Sequence, residues 1–148
     1  MPTGPRPTFT DLPHDEAVAL LERNHVGRLA FTFHDRVDIE PISYVFSDGW
    51  VYARTSPGTK LATIRHHPWV AFEVDEVCGR FDWRSVVARG TIYFLEAEGV
   101  ERRAYGSALA VLRSFDSEAM TDADATPHRQ ILFRIHADEI IGRRASSG

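Results

Sequence analysis

Apolar positions change their period along the chain, and each change marks an element. Residues 1–10 carry three prolines and no apolar period, and they read as a flexible arm ahead of a domain spanning 11–144, with 145–148 as a tail. Leu12-Pro13-His14-Asp15-Glu16 opens a helix, because Pro13 suits a first-turn position and Asp15 and Glu16 suit the positive end of the dipole. Ala17, Leu20 and Leu21 follow at helical spacing, and the helix should stop near Asn24.

From Val26 the rhythm is that of strands. Val26 to Phe33 is rich in strand formers, His34-Asp35-Arg36 reads as a hairpin turn, and Val37 to Phe46 alternates. Ser47-Asp48-Gly49 is a tight-turn signal before a third strand, Trp50 to Thr55. Ser56-Pro57-Gly58 breaks the chain, and Thr59 to His66 fits a short helix that turns Leu61 and Ile64 inward. Trp69 to Val74 is a fourth strand, Asp75 to Arg80 a polar loop, and Phe81 to Glu96 a long strand interrupted by Gly90, a mark of a bulge or barrel corner. Glu98 to Phe115 is helical, with Ala104, Ala108, Val111 and Leu112 as its stripe. After a polar loop, Ile131 to Ile135 is a sixth strand, and Ala137 to Arg144 reads as a closing turn. Six strands with short helices at the junctions suggest a closed or nearly closed small barrel whose edges favour pairing between subunits.

Composition narrows the classes. The chain has 148 residues, suited to one domain, and 43% of them are hydrophobic. A formal net charge of −4 argues against a general nucleic-acid or anionic-membrane binder. No apolar run reaches the ~20 residues of a membrane span, and Met1 to Thr8 holds no apolar signal-peptide core. The single cysteine, Cys78, excludes an intrachain disulfide, so a reducing cytoplasm is the expected compartment. Sixteen arginines stand beside one lysine, Lys60, a hint that this position prefers a compact ammonium.

Three stretches carry candidate chemistry. Thr55-Ser56-Pro57-Gly58-Thr59-Lys60 follows a strand and opens a helix, so free amides, the hydroxyls of Thr55, Ser56 and Thr59, and the Lys60 charge can form an anion site. By spacing alone it is equally an ordinary Ser-Pro-Gly turn with a Thr cap. Glu40-Pro41-Ile42-Ser43-Tyr44 places a proline inside a strand, tolerable at an edge that faces a ligand or solvent. Arg80 to Ser85 brings Trp83, two arginines and a hydroxyl to a strand entry, fit to stack on a ring or to pack a barrel end. The seven histidines form no metal-ligand spacing, no hydrolytic triad is visible, and Asp75-Glu76 and Asp122/Asp124 read as solvated loop carboxylates.

These segments stand in a familiar order: Gly27-Arg28-Leu29-Ala30, Pro41-Ile42-Ser43-Tyr44, Ser56-Pro57-Gly58-Thr59-Lys60-Leu61, His67 to Asp75, Trp83 to Gly90, and Phe133-Arg134-Ile135. The order resembles that of the pyridoxamine 5′-phosphate oxidase-like FMN-binding split-barrel superfamily, and within it the short nitroimidazole-resistance, nitroreductase-like branch. The resemblance implies a mainly β fold, a six-stranded antiparallel split β-barrel with short flanking helices. It also implies a homodimer with two FMN sites at the subunit interface. Carried over by position, Lys60 and Thr59 would hold the phosphate with Thr55 and Ser56 beside them. Pro41, Ile42, Ser43 and Tyr44 would line the isoalloxazine, and Ser85 and Trp83 would touch the ring or ribityl chain.

The implied function is that of an FMN-dependent oxidoreductase acting on a small molecule such as a nitroaromatic or a quinone, with no catalytic residue singled out. The C-terminal Trp- and Arg-containing substrate segment of true pyridoxamine phosphate oxidases is missing, which argues against pyridoxamine phosphate as substrate, and no motif assigns a role to Arg143 or Arg144. The sequence leaves two alternatives open. One is a deazaflavin-dependent reductase of the same fold. The other is a non-catalytic flavin- or haem-binding protein, with His66, His67 or His136 as an axial ligand.

Overall fold

The computed structural model describes residues 4–147, with the side chains of Thr59 and Lys60 outside that description. In chain order the elements are β1 (Thr8–Leu12), α1 (His14–Arg23), β2 (Val26–Phe33), β3 (Arg36–Ser47), β4 (Trp50–Thr55) and α2 (Thr59–His66). They continue with β5 (Trp69–Gly79), β6 (Asp82–Leu95), a 3₁₀ turn at Gly99–Glu101, α3 (Arg102–Phe115), β7 (Ile131–His136) and β8 (Glu139–Ser146).

All pairings are antiparallel. The order β6-β5-β2-β3-β4-β7, with β7 returning to β6, closes a six-stranded barrel, and β8 and β1 extend the sheet outward from β6. The β3–β4 hairpin turns on Asp48 and Gly49, whose φ angles of 50° and 84° give the twist that matches the flanking strands.

Two strands change partners midway, and these changes shape the molecule. β6 pairs with β8 along 83–89 and with β7 along 92–95. The changeover is Gly90, where an added Cβ would stand 1.6 Å from the His136 carbonyl oxygen, so only glycine lets the β7–β8 connection cross so closely. β3 pairs with β2 along 36–43 and with β4 along 44–47. Along 36–43 its second edge meets no strand among the described residues, and the barrel wall parts there. Pro41 sits on this stretch, opposite Arg28 of β2.

The main core joins α1, through Ala17, Leu20 and Leu21, to inward residues of the barrel such as Phe72, Val74, Val86 and Ile135. A second cluster holds α3 against the sheet through Ala108, Leu112, Tyr52 and Leu132. Full burial of the Leu, Ile, Val and Phe side chains among these contributes about 1.5–3 kcal/mol each. Among the described residues no helix is long and apolar enough to cross a membrane.

Four sequence readings change. Residues 8–12, read as arm and helix opening, form β1 by pairing with β8 (Thr8↔Ser146 to Leu12↔Gly142). Residues 139–144, read as part of a closing turn, and 145–146, read as tail, form β8. β5 runs on through Asp75, Glu76 and Val77, read as a loop, because β6 continues to pair with it. Asp124, read as a solvated loop carboxylate, is an almost fully covered partner of Arg54.

Candidate functional site

The parted wall opens into a cavity of about 300 Å³. Its floor is apolar, made by Leu29, Phe31, Ile92, Phe94 and Phe133 of the barrel interior. One side is the free stretch of β3, with Glu40 and Ile42, and the other is the end of β4 and the start of α2, with Thr55, Ser56 and Gly58. A neck of about 140 Å³ continues along the same edge, bordered by Pro41, Ser43, Arg54 and Arg129 as well as Thr55 and Ser56. Five residues proposed from two separate stretches of sequence, Pro41, Ile42, Ser43, Thr55 and Ser56, therefore meet along one groove.

Donor groups line the groove at its α2 end, while Glu40 brings a carboxylate to the β3 side. α2 begins at Gly58 with no side-chain cap, so its first-turn amides receive no capping acceptor. An added Cβ on Gly58 would meet nothing within 4 Å, so the backbone there borders open space. The hydroxyls of Thr55 and Ser56 line the cavity and make no hydrogen bond among the described residues. An uncapped helix start with free hydroxyl donors is suited to an anion. Thr59 and Lys60, assigned by sequence to the same anion, have side chains outside the described residues.

The other assigned residues stand apart from the groove. The Tyr44 side chain is 1% exposed and turns into the core, where its hydroxyl donates to the Leu21 carbonyl at 2.7 Å and burial pushes the phenol well above its usual range. Trp83 and Ser85 lie on the half of β6 that pairs with β8. Ser85 donates to Glu73 Oε2 at 2.9 Å, and Trp83 packs near Phe9, with ring centroids 6.2 Å apart. Burial, then the neighbouring Asp75, raises the Glu73 carboxyl. His136 pairs through Nδ1 with the Asp138 carboxylate, and no group of metal-ligating residues is found among the described residues.

A polar network that the sequence did not reveal lies beside the neck. Arg54 Nη1 and Nη2 donate to the two Asp124 carboxylate oxygens at 2.7 and 3.0 Å, and further to the Arg129 carbonyl and the Thr126 hydroxyl at 3.1 and 3.0 Å. Asp124 also accepts from the amides of Met120 and Thr126. The Arg54 guanidinium, then these amides, hold its carboxyl far below the usual carboxylate range. This network pins the segment between α3 and β7 against the end of β4. Arg54 and Arg129 were not assigned any role from sequence, and the period-two alternation of β4 was the one available clue that Arg54 and Thr55 face opposite ways.

An antiparallel barrel that parts between β3 and the end of β4, with a helix start at the parting, is a split barrel. The chain belongs to the pyridoxamine 5′-phosphate oxidase family, whose model matches residues 13–144. Among solved structures it is similar to a FAD-binding protein from Mesorhizobium loti, at 30% identity over 94% of this chain and 99% of that one, with a TM-score of 0.74. A candidate 5-nitroimidazole antibiotic resistance protein from Bacteroides thetaiotaomicron shares the fold at 13% identity over 95% and 92% of the two chains, TM-score 0.70. An uncharacterized protein of Rhizobium meliloti (strain 1021) is 29% identical over 86 residues, which span 58% of this chain and 57% of that protein's length.

Proposed function

We propose that this chain binds a flavin nucleotide at the groove and works as a homodimeric oxidoreductase on a small molecule. The observation that carries the reading is the pair of hydroxyls, Thr55 and Ser56, without a partner among the described residues, set beside the uncapped start of α2 at one end of an apolar cavity. That arrangement fits an amphipathic ligand with a phosphate at one end and a flat ring system at the other. FMN is the nucleotide we assign. The Mesorhizobium loti relative is named for FAD, which makes FAD the second reading within the same class.

When bound, the flavin supplies the electron-transfer chemistry, and the protein supplies position and surroundings. Thr55, Ser56, the α2 amides, Thr59 and Lys60 would hold the phosphate. Pro41, Ile42 and Ser43 would flank the ring along the open edge of β3, where no strand among the described residues competes for the backbone groups. Tyr44 would act from behind, its hydroxyl tying β3 to α1 through Leu21. Trp83 and Ser85 do not line the groove of their own chain. We assign them to the flavin of a second copy, which is the argument for a homodimer.

The purified protein is expected to carry or take up FMN, with a flavin absorption spectrum and quenched flavin fluorescence. A deazaflavin-like spectrum or a haem band would point to the two other cofactor classes instead. Lys60→Ala is expected to weaken FMN binding by roughly tenfold or more, the scale of losing one charge-assisted contact to phosphate. Unchanged affinity in that variant would remove the phosphate assignment. Sedimentation should show a dimer, and a strict monomer that still binds FMN would remove the roles given to Trp83 and Ser85.

A further inference from the structure

The groove leads on from the end that we give to the flavin ring. Ser43, assigned to the ring, also borders a second cavity of about 390 Å³, whereas Thr55 and Ser56, assigned to the phosphate, do not. This cavity lies between the ends of β3 and β4, the last turn of α3 and the 116–130 segment, and it is large enough for a small molecule. Val45, Leu112 and Ala119 give it an apolar wall. Phe115, the last residue of α3, lines it while remaining 59% exposed. The His25 ring stacks on Phe115 with centroids 3.7 Å apart and planes 15° from parallel. An aromatic ring supported by such a stack and bordering an open cavity is a platform for another flat ring.

The charges on the cavity set the polarity of what it can hold. Both nearby acids face Arg54, Asp124 at 2.7 Å and Asp116 at 3.9 Å. Arg129 is half-buried on the same cavity. Its carbonyl accepts from Arg54, but its guanidinium has no hydrogen bond or ion pair among the described residues. A guanidinium that is partly desolvated and unpaired meets a carboxylate with two parallel donors. A singly charged group suits this cavity better than a phosphate dianion. Asp116 and the negative end of the α3 dipole lie on the same cavity, and one guanidinium balances one charge.

We propose that this cavity is the substrate subsite and that it takes a flat aromatic monocarboxylate, with its ring on Phe115 and its carboxylate on Arg129. The inference rests on the flavin reading above and names the class of small molecule set beside the flavin ring. It is independent of which flavin nucleotide fills the groove. Arg54 and Asp124 act as positioning residues, since their network fixes the segment that carries Arg129.

The test is calorimetric titration of the full chain, incubated with FMN, with three probes: naphthoate, the uncharged naphthalenemethanol and the saturated, non-planar decahydronaphthoate. The wild type is compared with Phe115→Leu, which removes the platform, and with Ala125→Trp, which fills the cavity from a residue that lines it. The wild type is expected to bind naphthoate about tenfold or more tighter than naphthalenemethanol, and about fivefold tighter than decahydronaphthoate. Phe115→Leu should lose the preference for the flat ring and keep the preference for the carboxylate. Ala125→Trp should weaken naphthoate by about tenfold or more. Melting curves establish that the variants are folded, and because the two act by different means, either one alone carries the test. The flavin absorption of the same samples separates the two readings. A flavin-loaded protein that binds the three probes equally, or binds naphthoate undisturbed by both variants, overturns the subsite and leaves the flavin reading standing. A protein that takes up no flavin overturns the flavin reading and the substrate role together, whatever it does with naphthoate.

Discussion

Arg54 and Thr55 are neighbours on β4, and the protein treats them in opposite ways. Arg54 faces the 116–130 segment and finds a carboxylate, a hydroxyl and a carbonyl, all within 3.1 Å. Thr55 faces the groove with Ser56 and finds no partner among the described residues. Both regions are partly covered, so the difference is not one of exposure. On one face the chain has closed its own polar network, at the low exposure of 9% for Arg54 and 3% for Asp124 side chains. On the other it leaves donors and helix amides bordering an open, apolar-floored cavity. A folded chain satisfies the polar groups it needs for stability, and the groups it leaves open are those available to a ligand.

The largest test of this contrast is Arg54→Met. It keeps the apolar stem and leaves Asp124 with a covered carboxylate and no counter-charge, which is the destabilising way to break such a pair. We expect the Tm to fall by several degrees and the 116–130 segment to become protease-sensitive. A variant that melts like the wild type would show that the network is ornamental to stability and would dissolve the comparison from the Arg54 side.

Thr55→Val tests the other face, with a smaller effect. The substitution keeps shape and removes one hydroxyl that has no partner among the described residues, so the melting temperature should stay nearly unchanged. Flavin affinity should fall by roughly tenfold, the scale of a hydrogen bond to a charged group at about 1.5 kcal/mol. The comparison breaks if Thr55→Val melts lower and binds flavin normally.

The two regions also differ in how far they could be read from sequence. Thr55, Ser56, Pro41, Ile42 and Ser43 were legible because their signals are local: a helix opening after a Ser-Pro-Gly break, and a proline within a strand. Gly90 was legible for the same reason, although its close neighbour, the His136 carbonyl, was not. Arg54 and Asp124 are 70 residues apart, and Asp124 lies in a stretch whose composition reads as solvated loop. β1 and β8 were hidden by distance as well, since each half of the Thr8↔Ser146 pairing is too short and too polar to announce a strand without the other. The end of β5 was missed because its carboxylates look like loop chemistry. They are held by arginines from other elements, Asp75 by Arg28 at 3.8 Å and Glu76 by Arg23 at 2.6 Å.

The smallest expected effect extends the contrast to two carboxylates on β5. Glu76 is well matched: Arg23 donates to both its oxygens and Asn24 to one of them, and these bonds, Arg23 first, lower its carboxyl from 4.5 to about 2. Its folded value is below its unfolded value, so its stabilisation is complete above about pH 4.5 and is lost as pH falls toward 2. Arg23 is 47% exposed, so solvent screening limits the contribution to about 1 kcal/mol or less. Glu73 is poorly matched. Burial and then Asp75 raise its carboxyl, against the weaker opposing pull of the Ser85 hydroxyl and of Arg28. A raised carboxyl reverses the sign: the charged form costs stability at neutral pH, and the cost is relieved as pH falls through the folded value. Urea unfolding across this range should therefore show Glu76→Gln less stable than the wild type at neutral pH, with the gap closing in acid. Glu73→Gln should be equal or more stable at neutral pH, with its advantage fading in acid. Two variants that shift the same way would mean that matched and unmatched polar groups on this sheet are not distinguished by their partners.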